Sequence, residues 1–236
     1  MPLRAVFFDV GDTLVEGWAP RDRINELTRK ALVERFGERH WYDAFVTAEF
    51  GPSASDEKHR QETNRWVEEW FTNSGFGLDD VAVDSLRSAG TVPLDLVGRL
   101  VPGAEAALRW CKAHGLTTGL ITNTLWRGDE EVREDARRFG FDDAIDHIAS
   151  SHSVGWQKPH RAIFERALSL AGARPADALM VGDRMLQDVF GAKSLGMRAI
   201  WRRPLEGAPQ EAVDVVPDAT IEDLTELPAI VEKWLS

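Results

Sequence analysis

Residues 5–14 read AVFFDVGDTL, and this stretch decides the fold. Four consecutive apolar residues are followed at once by Asp9, with Gly11 and Asp12 close behind. An unbroken apolar run is typical of a parallel strand that is covered on both faces. We therefore predict a buried strand that ends at Asp9, at the edge where open α/β sheets bind their ligands.

The alternation of apolar strands and amphipathic helices continues along most of the chain. Further strands are predicted at residues 118–122, 178–181, 198–201 and 219–221. A glycine follows each of the helical patterns at residues 104–114, 130–139 and 187–195. Glycine in that position can adopt the left-handed conformation that closes a helix. This rhythm predicts a Rossmann-like, doubly wound parallel sheet of the α/β class.

One region interrupts the rhythm. Residues 16–93 contain no convincing strand pattern, and helices are predicted there at residues 20–36 and 55–71. We therefore predict an α/β core formed by residues 1–15 and 94–236, with an all-helical domain at residues 16–93 inserted after the first strand.

Composition and charge exclude several classes of partner. The chain has 236 residues and a net charge of −11, which argues against binding to nucleic acid or to an anionic membrane. Its single cysteine, Cys111, rules out an intramolecular disulfide and suits a reducing compartment. The start of the chain lacks the pattern of a signal peptide, and no segment is apolar over the length of a membrane span. We expect a cytoplasmic protein, either a monomer or a homodimer.

The ends of the predicted strands carry polar side chains that we expect to meet at one edge of the sheet: Asp9, Thr122, Asn123, Lys158, Asp183 and Asp188. Carboxylates such as Asp9 and Asp183 suit Mg²⁺, and a lysine with a hydroxyl group can hold phosphoryl oxygens. A carboxylate that faces a phosphoryl group can attack it in line. Singly, such residues are more often turn formers or solvated charges. Their placement at successive strand ends favours a site.

These segments resemble the four motifs of the haloacid dehalogenase superfamily. Residues 9–13 resemble its nucleophile motif, residues 120–123 its second motif, Lys158-Pro159 its third, and residues 181–192 its fourth, which binds the metal. The resemblance covers approximately residues 4–14 and 101–235, and the helical insert matches the position of the family's C1 cap.

The resemblance implies a role for each residue of the site. It implies Asp9 as nucleophile and a Mg²⁺ ion held by Asp9, the Gly11 carbonyl, Asp183 and Asp188. Phosphate would be bound by Thr122, Asn123, Lys158 and Gly11, and Lys158 would also neutralise charge in the transition state. The cap would close over the site and supply most of the substrate contacts.

The sequence departs from the phosphatase pattern at Gly11. Phosphatases of this family usually carry an aspartate there, which protonates the leaving oxygen and then activates water, work typically worth ~10²–10⁴-fold in rate. Here the aspartate comes one residue later, as Asp12. Two interpretations stay open: Asp12 replaces the acid through a loop bent at the permissive Gly11, or it only braces the turn.

Three functions remain open on the sequence alone. The first is a Mg²⁺-dependent phosphatase for a small phosphorylated metabolite, slowed by the missing acid. The second is a phosphonatase or dehalogenase; dehalogenases typically lack the Gly-Asp of the fourth motif, and a phosphonatase would need a cap lysine, for which Lys30 and Lys58 are the candidates. The third is a weakly active or inactive protein that binds a phosphorylated ligand or a partner.

The loop after the second motif offers further contacts with substrate. Trp126 and Arg127 follow Asn123 closely, so they are expected at the mouth of the pocket, where Arg127 would contact a second anionic group. The alternative is an exposed loop in which Trp126 packs on the cap. Trp18 is expected at the hinge between the two domains.

Overall fold

A computed structural model of the chain describes residues 2–16, 21–48, 63–77, 83–124, 126–204 and 212–235. These residues contain eight strands: β1 (Ala5–Phe8), β2 (Val15–Glu16), β3 (Arg99–Leu100), β4 (Thr117–Thr122), β5 (His147–Ser150), β6 (Ala178–Gly182), β7 (Arg198–Arg202) and β8 (Ala219–Ile221). They also contain ten α-helices: α1 (Arg21–Phe36), α2 (Tyr42–Thr47), α3 (Thr63–Asn73), α4 (Val83–Gly90), α5 (Ala104–Ala113), α6 (Asp129–Arg138), α7 (Ser151–Val154), α8 (Arg161–Ala171), α9 (Gly191–Ser194) and α10 (Leu227–Val231).

Six parallel strands form the central sheet in the order β5-β4-β1-β6-β7-β8. Strand β1 lies between β4 and β6, with Phe8 in register with Leu120 on one side and with Val181 on the other. Asp9, Thr122 and Asp183 therefore lie at the carboxyl ends of three adjacent strands. This arrangement confirms the predicted doubly wound fold.

Helices cover both faces of the sheet because the side chains of β1 alternate between two buried layers. Val6 and Phe8 pack in the layer that contains α5, α6 and α10, whereas Ala5 and Phe7 pack in the layer that contains α8 and α9. All four side chains are completely buried. The continuous apolar run of β1 thus matches a strand covered on both sides.

The described part of the inserted region is helical. Helices α1 to α4 pack around their own aromatic core, which includes Trp41, Tyr42, Phe45 and Phe71. The residues described between positions 21 and 93 include no strand. Helix α1 matches the first predicted helix, and α3 shows the second from Thr63 onward. Residues 55–62, which include Lys58, lie outside the described residues, as does Trp18.

The two chain segments that connect the sheet with the inserted helical region run side by side. Strand β2 pairs with β3 in antiparallel fashion, with Val15 opposite Leu100 and Glu16 opposite Arg99. The second strand of this ribbon leads into α5, so both connections are fixed next to the end of β1. The boundaries proposed for the inserted domain, residues 16 and 93, stay predictions.

Two local features differ from the sequence-based expectation. Strand β5 was not predicted, because its sequence HIAS is short and half polar and contains no apolar run. The single helix predicted at residues 187–195 is instead a π-helical segment, Met185–Phe190, followed by α9.

Among the described residues, no helix has the length and apolar character that a membrane-spanning segment needs.

Gly182, the last residue of β6, permits a close approach by Asp188. A Cβ atom at position 182 would lie 2.2 Å from Cγ of Asp188 and 2.3 Å from its Oδ2, well inside contact distance. The glycine therefore allows the π-helical segment to fold back over the end of the strand.

We predict that Gly182→Ala lowers the free energy of unfolding by about 1–3 kcal/mol, because the added methyl group overpacks a buried carboxylate. Gly77→Ala is the matched control, since nothing lies within 4 Å of a Cβ at that position. Urea unfolding of both variants tests the prediction. Equal stabilities for the two variants would contradict it.

Candidate active site

Lys158 lies at the centre of the carboxyl edge of the sheet, with its ammonium group between two aspartates. Nζ is 2.6 Å from Oδ1 of Asp9 and 2.7 Å from Oδ1 of Asp188, and it donates to the Ile121 carbonyl at 2.8 Å. Burial lowers the pKa of Lys158, but the attraction of Asp188 and Asp9 outweighs burial, and the pKa is raised above its ordinary value. Lys158 is therefore a buried cation at neutral pH.

The side chain of Asn123 fixes the backbone of Lys158. Its Oδ1 accepts from the Lys158 N–H at 2.7 Å, and its Nδ2 donates to the Lys158 carbonyl at 3.1 Å. Because Asn123 directly follows β4, these two bonds tie the end of that strand to the segment before α8. The sequence placed Asn123 at the site as a phosphate-binding residue; the pattern gave no signal for this contact of its side chain with the Lys158 backbone.

Asp188 reaches the site because the segment after β6 turns back on itself. Its Oδ1 faces Lys158, while Oδ2 accepts the backbone N–H of Arg184 at 2.9 Å. On the neighbouring strand β7, the indole N–H of Trp201 donates to the carbonyl of Asp183 at 2.8 Å. The Arg184 backbone thus holds the side chain of Asp188, and the Trp201 side chain holds the backbone of Asp183.

Three buried carboxylates form a cluster that can bind a metal ion. Oxygen atoms of Asp9, Asp183 and Asp188 lie within 4.8 Å of one another. Lys158 uses only Oδ1 of its two aspartate partners. With all four side chains ionised the cluster has two negative charges in excess, which a divalent cation would balance. Hard carboxylate oxygens are the ligands that Mg²⁺ prefers, so the donor set fits that ion.

The pKa values reflect this crowding of negative charge. Burial raises the pKa of Asp183 to about 8, and the negative charges of Asp9 and Asp188 add to the rise. Burial likewise raises the pKa of Asp9 to about 6, although Lys158 opposes the increase. Among the described residues Lys158 forms its ion pairs with Asp9 and Asp188, whereas the carboxylate of Asp183 accepts a long hydrogen bond from the Thr13 hydroxyl, at 3.5 Å. The negative charge of Asp183 is therefore less compensated than that of Asp9.

Asp12 adopts a backbone conformation that is unusual for its residue type. Its φ of 53° lies in the left-handed region, and among the described residues no other non-glycine residue has a positive φ. Asp and Asn tolerate this region better than other residues, but it is still sparsely populated outside glycine. The buried Arg202, at the end of β7, donates from Nη1 to the Asp12 carbonyl at 2.8 Å and so holds the turn.

A cavity of about 420 Å³ opens onto the site. Its wall includes Asp9, Gly11, Asp12, Thr122, Asn123, Trp126, Arg127, Lys158 and Asp183. The structure therefore brings together at one cavity every site residue named from the sequence except Asp188, which lies behind Lys158. The proposed functions of these residues, including a metal contact from the Gly11 carbonyl, stay predictions.

Trp126 and Arg127 make structural contacts as well as lining the cavity. Trp126 packs against the aromatic core of α1 to α4, 6.4 Å from the Phe45 ring, and its carbonyl accepts from Arg87 of α4 at 2.9 Å. Arg127 forms an ion pair with Asp135 of α6, at 2.5 Å from Nη1 to Oδ2. Any second anion bound by Arg127 would have to share it with Asp135.

The fold and the site together define a class of protein, a hydrolase built on a Rossmann-like sheet with an acidic cluster at its carboxyl edge. A model of the haloacid dehalogenase-like hydrolase family matches residues 3–196. The chain belongs to that family and is an enzyme.

Two relatives are similar over almost the whole chain. A glyceraldehyde 3-phosphate phosphatase from Pyrococcus furiosus is 28% identical, over 98% of this chain and 92% of the relative. A phosphoserine phosphatase from Thermus thermophilus is 29% identical, over 95% of this chain and 98% of the relative. Among solved structures, a 2-haloacid dehalogenase from Pseudomonas syringae has a TM-score of 0.64 at 24% identity, over 98% of this chain and 99% of that chain. This last likeness concerns the fold alone.

Asp183→Asn is predicted to stabilise the metal-free protein and to remove its response to Mg²⁺. The pKa of Asp183 rises from ~3.9 in the unfolded chain to about 8 in the folded protein. This carboxyl group therefore stabilises the fold fully below pH ~4, and its contribution is lost as the pH rises through 8.

Chemical unfolding in EDTA at pH 5 and pH 8 tests this prediction. The variant should be the more stable protein at pH 8, by on the order of a few kcal/mol, and its advantage should be much smaller at pH 5. Added Mg²⁺ should raise the melting temperature of the wild type and not that of the variant. An equal increase in both proteins would show that the ion binds elsewhere.

Proposed function

We propose that the chain is a Mg²⁺-dependent phosphatase that acts on small phosphate monoesters through an aspartyl-phosphate on Asp9. The observation that carries the proposal is the position of Lys158, buried between Asp9 and Asp188 with Asp183 alongside. One positive charge among three carboxylates suits a site that receives a divalent cation and a phosphoryl group together. Both full-length relatives described above are phosphatases, which supports the same assignment.

The first step of the proposed reaction is attack by Asp9 on phosphorus. A carboxylate oxygen of Asp9 forms a bond to phosphorus while the bond from phosphorus to the alcohol oxygen breaks. Lys158 holds Asp9 in place and lowers the repulsion between its carboxylate and the phosphate. Thr122 at the end of β4 lines the same cavity and would donate to a phosphoryl oxygen. Mg²⁺, held by Asp9, Asp183 and Asp188, would add neutralisation of the phosphoryl charge.

Asp12 is the proposed donor of the proton that the leaving alcohol requires. Asp12 lines the same cavity as Asp9, and its charge contributes to the raised pKa of Asp183 after burial, Asp9 and Asp188. Its left-handed conformation, held by Arg202, supports a functional reason for an aspartate in this turn. In the second step Asp12 would take a proton from water, which attacks phosphorus, releases inorganic phosphate and restores Asp9.

The other chemistries of the family find less support. Removal of halide from carbon needs one carboxylate as nucleophile, and it does not explain why three carboxylates are clustered here. Cleavage of a phosphonate through an imine would need a lysine that faces the cavity, whereas Lys30 is exposed on α1 and lies 3.8 Å from Glu34. Lys58 lies outside the described residues. A binding protein without activity stays an outcome of the test below.

Asp12→Asn is predicted to slow alkyl phosphates far more than aryl phosphates. A nitrophenolate leaves without protonation, whereas an alkoxide depends on it, so the loss in kcat/KM should be ~10²–10⁴-fold on ethyl phosphate. On 4-nitrophenyl phosphate we expect a loss of less than about tenfold. Asn is close to Asp in shape and tolerates the left-handed region, so the turn is kept.

Steady-state rates on both substrates, with Mg²⁺ present, measure the difference. Asp214→Asn, at an exposed aspartate that does not line the cavity, is the matched control and should leave both rates unchanged. Similar losses of kcat/KM on the two substrates, or no loss on either, would show that Asp12 does not donate the proton. Gly11→Asp, at a position without a positive φ, should then raise ethyl phosphate turnover. No turnover of either substrate by the wild type, at any Mg²⁺ concentration, would contradict the phosphatase assignment.

A further inference from the structure

The cavity extends beyond the carboxylates into an apolar recess. This recess is lined by Leu94, Val97, Leu120, Val132, Phe139 and Phe141. Its walls come from β4, from α6 and the turn after it, and from the segment that leads from the insert back to the sheet. Leu120 lies two residues before Thr122 on β4, so the recess is continuous with the proposed phosphate site.

The recess is held open by a polar contact at its wall. Oδ1 of Asp135 accepts the backbone N–H of Leu94 at 3.0 Å, while its Oδ2 pairs with Arg127. These bonds connect α6 with the segment at residues 94–97 and with the loop after β4. The ion pair balances its own charge, so it adds no net charge that would attract a second phosphate or carboxylate.

We propose that the natural substrate is a phosphate monoester whose alcohol carries an apolar alkyl or aryl group, and that this group occupies the recess. The inference rests on the proposed function, which places the phosphoryl group at Asp9. A cavity of about 420 Å³ has the size of a small-molecule site, and a phosphoryl group fills only part of it. The remaining wall offers mostly apolar side chains, which favour an apolar occupant over water.

This substrate class differs from those of the two phosphatases described above. Glyceraldehyde 3-phosphate and phosphoserine are small and polar and have no apolar group to place against Leu94, Val97 or Phe139. The side chains of Leu94 and Phe139 are only partly buried, so they offer apolar surface that an apolar group in the recess would cover.

Binding of alkylphosphonates tests the proposal without requiring turnover. Ethyl-, butyl- and hexylphosphonate carry the same charged group and differ only in the length of the apolar chain. Titration calorimetry in the presence of Mg²⁺ should show an affinity that rises about fourfold per added CH₂ group. Affinities that do not depend on chain length would overturn the proposal and show the recess to be a packing gap only.

A pair of tryptophan variants locates the effect. Leu94→Trp fills the recess and should remove most of the preference for hexylphosphonate over ethylphosphonate. Leu96→Trp is the matched control, because Leu96 belongs to the same turn, is 54% exposed and does not line the cavity; it should keep the wild-type preference. A preference that survives in Leu94→Trp would contradict the proposal.

Two further outcomes keep the test decisive. If Leu94→Trp does not fold, Val97→Trp provides the same comparison, and the wild-type series decides without either variant. If no phosphonate binds to the wild type at any chain length, the result contradicts the proposed phosphate site and, with it, the proposed role of the recess. That result differs from equal binding of all three phosphonates, which contradicts the recess alone.

Discussion

The interaction on which the rest of the site depends is the contact of the Lys158 ammonium group with Asp9 and Asp188. An unpaired charge in this position would be costly, and three carboxylates without a cation would repel one another. Lys158 therefore allows the end of β1 and the π-helical segment after β6 to approach within a few ångströms. Lys158 forms ion pairs with two of the three carboxylates and leaves Asp183 without one. We therefore expect a divalent cation to bind beside Asp183.

Much of the fold could be predicted from the sequence because its signals are local. Continuous apolar runs identified four of the six strands of the sheet, since such runs follow from burial on both faces. A short run identified β8, an edge strand in which Thr220 is exposed. The aspartates after β1 and β6 could be placed at one edge because parallel strands share their direction. Strand β5 could not be predicted, since only its pairing with β4 makes the sequence HIAS a strand.

The parts that could not be predicted depend on which elements become neighbours. Asn123 and Lys158 are 35 residues apart, and Arg202 and Asp12 are 190 residues apart, so no spacing in the sequence connects them. Arg127 was expected to face an anion, and its pairing with Asp135 became visible only with α6 packed beside the loop. The apolar recess is likewise a property of three segments together, which explains why the sequence did not indicate the substrate.

The central claim, that Asp9 becomes phosphorylated, is tested most directly by trapping. The enzyme would be mixed with 4-nitrophenyl phosphate that carries a radioactive phosphoryl group, in the presence of Mg²⁺, quenched in acid within one turnover and digested for peptide mapping. We expect label on the peptide that contains Asp9 in the wild type, and no label on that peptide in Asp9→Asn. Turnover by the wild type with no labelled peptide, or with label on another residue, would contradict it.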